Sequence, residues 1–435
     1  MRCRAPRFVI AAASLLLLDI GLPRIANGQC PPCEVHESGT PCEFVGVPCS
    51  KSLHLVGGFA CLASDWQKLG SLPPGLDFAD HMSFATVSGI PTTPGTFSCG
   101  VLVHIAHSAF CMYSAGLDFS IATALAPHPM AVDANAVTGT SSNTNGVLEQ
   151  GETIQVAPSW ENDLAAAEAL TGTASAFTGP PGPTYTLIDD SADYGSVSVG
   201  ATSDCNSATG NCYLVTLSGT RPAAHWDAKF TEQLSFSSLT KTWTLHVGES
   251  FPDVPVSNPS YAFVENLFHN GVTAGCGGGN YCPDDDVTRA QMAAFLLKAK
   301  HGAQYVPASC TGVFTDVACP SLFADWIEAL HSEGITGGCG NGDYCPANPV
   351  TRGQMAVFLL KAAHDPGYVP PPCAATAFSD VPCPGAQFVD FINELAAEGI
   401  TAGCGNGNYC PNDPVTRGQM AVFLVKMFGL QLYGS

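Results

Sequence analysis

Arginine is scarce in this chain. Eight occur in 435 residues, and four of them (Arg2, Arg4, Arg7 and Arg24) lie in the first 28. Lysine adds little: 16 basic side chains face 37 acidic ones, for a net charge of −21. No basic stripe is available to neutralise phosphates, which excludes nucleic acid as a partner. Charged residues make up only 12% of the chain. The longest apolar run, Phe8 to Leu18, is too short to cross a bilayer, so no transmembrane segment is expected. The nucleophile elbow G-x-S-x-G and the metalloprotease helix H-E-x-x-H are both missing. His104 and His107 stand in a strand-like context without a partner pattern. The expectation is a non-enzymatic protein.

The N-terminus reads as a secretory leader over residues 1–28. Arg2, Arg4 and Arg7 give the positive region, Phe8 to Leu18 the apolar region, and Ala26-Asn27-Gly28 a small-residue cleavage site. Gln29 fits a lipobox poorly, so Cys30 is not read as a lipid anchor. The chain beyond the leader carries 12 basic against 36 acidic side chains, a net −24. It retains 19 of 20 cysteines, the signature of an oxidising, extracellular compartment. Seven lie between Cys30 and Cys111, an odd number that leaves one thiol over.

Residues 29–55 are rich in Cys and Pro and read as a disulfide-held segment. The Cys30-Pro31-Pro32-Cys33 spacing has no βαβ context for a redox role. Residues 56–128 alternate strands and turns, with Cys99, Val101, Val103 and Ile105 on one face of a strand. Leu72-Pro73-Pro74-Gly75-Leu76, followed by Ser88-Gly89-Ile90-Pro91-Thr92-Thr93-Pro94-Gly95-Thr96-Phe97, resembles the Ig-like domains of bacterial surface proteins. Ile90 and Pro94 depart slightly from that pattern. Residues 129–250 carry short β-like runs broken by Gly, Pro, Ser and Asn, suggesting a second sandwich in which Cys205 and Cys212 close a small loop.

After Phe251 the chain repeats with a period of 63 to 65. Phe251-Pro252-Asp253-Val254 recurs at Phe314 and at Phe378. Arrays of this period stack similar supersecondary units. The units span 251–309, 310–372 and 373–435, and each reads as two helices joined by a stapled loop. Thr288 with Gln291, Thr351 with Gln354 and Thr416 with Gln419 have capping-box spacing. Behind them Met292, Phe295, Leu296 and Ala299 form a core-facing stripe that the later copies repeat. The pairs Cys276/Cys282, Cys339/Cys345 and Cys404/Cys410 read as local disulfides rather than a zinc cluster, because no repeated His accompanies them. Cys310/Cys319 and Cys373/Cys383 add one more pair to the second and third units.

The motif Thr-Arg-x-Gln places Arg289, Arg352 and Arg417 in the first turn of a helix. A guanidinium there adds a fixed cation to the positive helix end and to unpaired N–H groups, a suitable grip for an anion. The alternative is a structural ion pair with an acidic residue of a neighbouring unit.

The pattern F-x-D-V … G-I-T-x-G … V-T-R-x-Q-M-A resembles the S-layer homology (SLH) domain, in its usual set of three, from residue 251 to 435. The resemblance implies a largely helical, pseudo-threefold body whose grooves hold an anionic cell-wall or envelope polysaccharide. It implies glycan-binding roles for Arg289, Arg352 and Arg417, with Gln291, Gln354 and Gln419 standing where the family has Glu. The fold class expected is all-β Ig-like sandwiches followed by the helical triplet, in a secreted protein of the cell envelope. A surface-anchored glycan-active enzyme, or a carbohydrate-binding adhesin with its site in 56–250, is the alternative. No cofactor is expected. The loop Asn143 to Glu152 resembles calcium-holding loops of secreted β-domains, with Asp133, Asn135, Asn145, Glu149 and Glu152 as oxygen donors, but a polar turn is the preferred reading.

Overall fold

The computed structural model describes residues 33–434 except 58–60, 107–110, 138, 165, 236–239 and 366. The leader, Cys30 and His107 lie outside the described residues. The described chain is multidomain, β-rich up to residue 250 and helical beyond it.

The first part holds β1 (Cys33–Thr40), β2 (Phe44–Val45), β3 (Cys49–Gly57), β4 (Ala63–Leu69), β5 (Leu76–Asp80), β6 (Phe84–Gly89), β7 (Gly95–Ile105) and β8 (Met112–Thr123). They form two four-stranded sheets, β1-β3-β6-β5 and β2-β8-β7-β4. Leu53, Trp66, Val87, Val101, Val103 and Phe119 fill the core between them. Of the expected segment 29–55, the described part from Cys33 on is not separate: β1 and β3 are built into the first sheet, paired from Cys33↔Gly57 to Thr40↔Ser50. Disulfides Cys33–Cys61 and Cys42–Cys49 tie this region down, Cys111 is also disulfide-bonded, and among the described residues Cys99 is a free, buried thiol.

The second part holds β9 (Leu125–Val132), β10 (Thr153–Asn162), β11 (Glu168–Thr178), β12 (Thr184–Asp189), β13 (Ser191–Val197), β14 (Thr202–Asp204), the short α1 (Cys205–Ala208), β15 (Tyr213–Ser218), β16 (Asp227–Leu234) and β17 (Thr240–His246). One sheet runs β12-β15-β10-β14 with β9 also on β10, and the other runs β13-β11-β16-β17. The break between the two β parts falls near residue 124 rather than at 128, because β9 already belongs to the second sheet. Between the sheets Trp160 meets Trp243 edge-on at 5.8 Å, and Tyr213 meets Phe230 at 5.3 Å. At the centre Glu232 is fully buried. It accepts hydrogen bonds from the Tyr194 and Tyr213 hydroxyls and from the indole N–H groups of Trp160 and Trp243. Four donors from four strands satisfy a carboxylate that would otherwise be very costly to bury.

The helical part holds α2 (Tyr261–His269), α3 (Arg289–His301), α4 (Ala324–Ser332), α5 (Arg352–Ala363), α6 (Val389–Ala397) and α7 (Arg417–Phe428). The capping boxes expected from the sequence form at Thr288 and Thr351. Thr416 accepts from the Gln419 N–H in the same way. The stripe Met292, Phe295, Leu296 and Ala299 is buried, as are Met355, Phe358, Leu359, Met420, Phe423 and Leu424. Disulfides join Cys276–Cys282, Cys339–Cys345, Cys404–Cys410, Cys310–Cys319, Cys373–Cys383 and, in the β part, Cys205–Cys212. Among the described residues no helix is long and apolar enough to cross a membrane.

One hydrophobic core runs from the second β part into the helices. The Tyr261 hydroxyl donates to Glu149 Oε1 at 2.9 Å. The Tyr433 hydroxyl accepts from the Leu148 N–H and donates to the His246 carbonyl.

Candidate functional site: the interlocked arginine turns

Each repeat is pinned to the next at the start of its second helix. The Val287 N–H donates to the Val415 carbonyl, Val350 to Val287, and Val415 to Val350, so three single residues close a ring of hydrogen bonds. Two residues on in each motif, the Arg289 N–H donates to the Asn348 carbonyl, Arg352 to Asp413, and Arg417 to Asp285. The residue after that donates to a proline carbonyl: Ala290 to Pro346, Gly353 to Pro411, Gly418 to Pro283. A Cβ on Gly418 would meet Ser260 Oγ at 2.8 Å and Pro283 O at 3.2 Å, so glycine there permits the close approach of the neighbouring repeat.

The arginine side chains follow the same cyclic rule. Arg289 Nε donates to the Tyr344 carbonyl at 2.8 Å, Arg352 to Tyr409 at 2.8 Å, and Arg417 to Tyr281 at 2.7 Å. Each tyrosine hydroxyl returns a bond to the carbonyl of the arginine that stacks on it. Each guanidinium lies between that tyrosine ring and a phenylalanine of the same neighbour. The distances are 4.7 and 5.4 Å for Arg289 with Tyr344 and Phe358, 4.9 and 5.5 Å for Arg352 with Tyr409 and Phe423, and 4.7 and 5.2 Å for Arg417 with Tyr281 and Phe295. The aspartate of each F-x-D-V motif fixes the tyrosine by accepting from its N–H and from that of the next cysteine, as Asp316 does for Tyr344 and Cys345 at 2.7 Å.

This geometry corrects two expectations. The guanidiniums do not face open clefts: Arg289, Arg352 and Arg417 are only 4–5% exposed. The first-turn N–H groups are not free for an anion either, since the neighbouring repeat's carbonyls and the threonine caps take them. The physical reason is that the same chemistry that suits an anion, a cation at a bundle of N–H donors, also suits a turn of backbone carbonyls from the next repeat.

The ion-pair alternative does not form. Among the described residues none of the three arginines has a carboxylate within 4 Å; Asp316, Asp380 and Asp413, and Asp253 and Asp285 act only at longer range. Burial, the dominant cause, pulls each guanidinium's pKa down from its ordinary value. Arg289 Nη2 donates to the Gly338 carbonyl at 3.3 Å, whereas Nη2 of Arg352 and of Arg417 is buried without a protein partner. Gln291 and Gln354 complete their caps, and Gln419 instead accepts from Arg352 Nη1 at 3.4 Å. Beside Ala290 a cleft of about 210 Å³ opens between the first and second repeats, lined by Asp316, Ser321, Leu322, Phe323 and Pro346.

The calcium candidates lie in a turn held mostly by its own hydrogen bonds. Glu149 accepts from the side-chain amides of Asn143 and Asn145, and Glu152 accepts from the N–H groups of Asn143 and Glu149. Asp133 accepts from the Asn145 N–H through one oxygen. Asn135 is exposed. The other oxygen of Asp133, Oδ1, is buried without a partner.

Comparison with known proteins agrees with the repeat geometry. Residues 250–293, 314–356 and 377–421 match the S-layer homology domain family. The S-layer protein of Bacillus licheniformis is 28% identical over 178 residues, 41% of this chain and 20% of that protein. The S-layer protein EA1 of Bacillus anthracis is 27% identical over 177 residues, again 41% and 20%. An endoglucanase of Bacillus sp. (strain KSM-635) is 29% identical over 116 residues, 26% of this chain and 11% of that enzyme. The chain thus spans a fifth or less of these relatives. The helical part is a set of three S-layer homology domains. The chain that carries them is a secreted cell-surface protein.

Proposed function

We propose that this is a non-enzymatic envelope protein whose repeats anchor it to an anionic wall polysaccharide, with its two β parts displayed outward as Ig-like sandwiches. In this reading the three repeats form a pseudo-threefold body, and the polymer lies in the clefts between successive repeats. The observation that carries the proposal is the uncompensated charge. In a chain with net charge −21, three guanidiniums sit beneath the inter-repeat turns with no carboxylate within ion-pair distance. A cation held in low dielectric acts on a nearby anion more strongly than one in water. Nη2 of Arg352 and Arg417 lacks a protein partner, so the charge of these two groups is left unneutralised by the chain and adds to the potential above the turns. The arginine then has two jobs, as the strut between repeats and as the source of positive potential in the cleft.

The test is co-sedimentation of the secreted chain with isolated cell-wall sacculi, before and after chemical removal of the polymer's acidic substituents. Binding should be lost with the substituents and weaken with salt. Equal sedimentation with stripped and intact walls would refute the anionic-ligand reading.

A further inference from the structure

At the seam between the second β part and the first repeat, four side chains that no repeat motif explains converge on one point. His225 lies in the turn before β16, Asp227 opens β16, His246 ends β17, and His269 ends α2. Asp227 and His246 are direct cross-strand partners. Asp227 Oδ1 lies 3.5 Å from His225 Nε2, 3.4 Å from His246 Nδ1 and 3.4 Å from His269 Nδ1. His225 Nε2 and His269 Nδ1 are 3.4 Å apart. All four atoms fall within 4.8 Å of one another.

These distances are long for hydrogen bonds, which cluster at about 2.7–3.2 Å. They match the ligand–ligand edges of a tetrahedral site, since Zn–N bonds of about 2.0–2.1 Å give edges of about 3.3–3.4 Å, and the remaining pairs of atoms lie within 4.8 Å. The residues behind His246 point the same way. His246 Nε2 lies 2.8 Å from Glu265 Oε2, both side chains being fully buried. Glu265 is itself held by the Ser250 N–H at 2.8 Å and the Ser250 hydroxyl at 2.6 Å. With the Nε2 proton directed to Glu265, Nδ1 of His246 presents a lone pair to the carboxylate oxygen of Asp227. That arrangement is satisfied either by a second proton on His246, making an imidazolium between two carboxylates, or by a metal cation; the convergence of two further imidazole nitrogens on the same oxygen favours the metal. A carboxylate behind a ligating imidazole is the usual orienting device of such sites. Arg221 fixes the turn that aims His225 through bonds to the carbonyls of Ala223, Ala224, Val247 and Gly248.

We propose that His225, Asp227, His246 and His269 bind one divalent transition ion of the zinc type, closed to a fifth protein ligand and structural in role. Three imidazoles and one carboxylate exclude calcium and magnesium, which take oxygen. Three ligands come from the β part and one from α2, so the ion cross-links the displayed β part to the first repeat. His225 and Asp227 are partly exposed, which gives the ion a way in.

The experiment uses the secreted chain, stripped with chelator and titrated with Zn²⁺ and with Co²⁺. One ion per chain, with the visible bands of tetrahedral cobalt and a Zn²⁺-dependent rise in Tm, is expected. His225→Ala, at an exposed ligand that leaves the core intact, should abolish stoichiometric uptake and the cobalt bands. Glu265→Gln should keep the bands but weaken affinity by about 10–100-fold. Failure of the wild-type chain to take up one ion, or uptake unchanged in both His225→Ala and His269→Ala, would overturn the proposal.

Discussion

The three arginine struts are alike in position but not in bonding, and that difference can be measured. Replacing each in turn by Met keeps most of the stem volume and removes the charge. Every substitution forfeits one charge-assisted bond from Nε to a tyrosine carbonyl, worth roughly 1.5–3 kcal/mol. Each also loses two ring contacts at about 5 Å, worth roughly 1–2 kcal/mol together when desolvated. The offset differs. Arg352→Met and Arg417→Met also remove a buried Nη2 that has no partner, which returns roughly 1–3 kcal/mol. Arg289→Met returns nothing, because that Nη2 is bonded to Gly338. The expected loss is about 2 kcal/mol for Arg417, slightly more for Arg352, which also forfeits its long Nη1 bond to Gln419, and about 3–4 kcal/mol for Arg289. Urea unfolding followed by helical CD at unchanged m-value gives the differences directly. If Arg289→Met proved no more destabilising than Arg417→Met, the account of the struts would be wrong. Wall binding measured on the same variants separates the two jobs: Arg352→Met should stay folded at 25 °C yet sediment less.

Other consequences are open to similar checks. Glu152 is pushed up to about 8, chiefly by burial and then by sharing a proton with Glu149. A carboxyl whose folded pKa exceeds its unfolded value binds more protons when folded, so stability is full below about pH 4.5 and falls as pH rises towards 8. Glu152→Gln should flatten that decline in a Tm–pH profile and raise Tm at pH 8, where the wild-type carboxyl is being forced to ionise. Glu232→Ala strands two hydroxyls and two indole N–H groups between the sheets, and a loss of about 4 kcal/mol or more is expected in chemical unfolding. Cys339→Ser with Cys345→Ser opens a six-residue loop and should cost about 2–3 kcal/mol, while the Asp316 bond to the Cys345 N–H persists. An unchanged unfolding midpoint would mean that Asp316 alone holds the turn.

What could be read from the sequence was local, and what could not was set by partners far along the chain. The caps at Thr288 and Thr351 and the stripe from Met292 to Ala299 depend on neighbours three to seven residues away, so spacing specifies them. Short cysteine loops are legible for the same reason. The direction of Arg289 is fixed by Tyr344, 55 residues on, and that of Arg417 by Tyr281, 136 residues back. A motif shows that a cation sits at a helix start but not whether sugar or protein receives it. Strand β1 escaped notice because only Cys33 of its eight residues is buried, so a largely exposed strand leaves no period-two apolar signal. Strand β9 straddles the expected boundary at 128 because Pro127 and Pro129 interrupt its apolar pattern, yet it pairs with β10 and an edge strand tolerates proline. The histidine–aspartate cluster is the extreme case. Its members span 44 residues and two structural units, with no repeat to advertise them, and they meet only because β16 and β17 pair while α2 docks across their ends. A site of that kind is a property of the seam between two folds, and the sequence of either fold alone contains no sign of it.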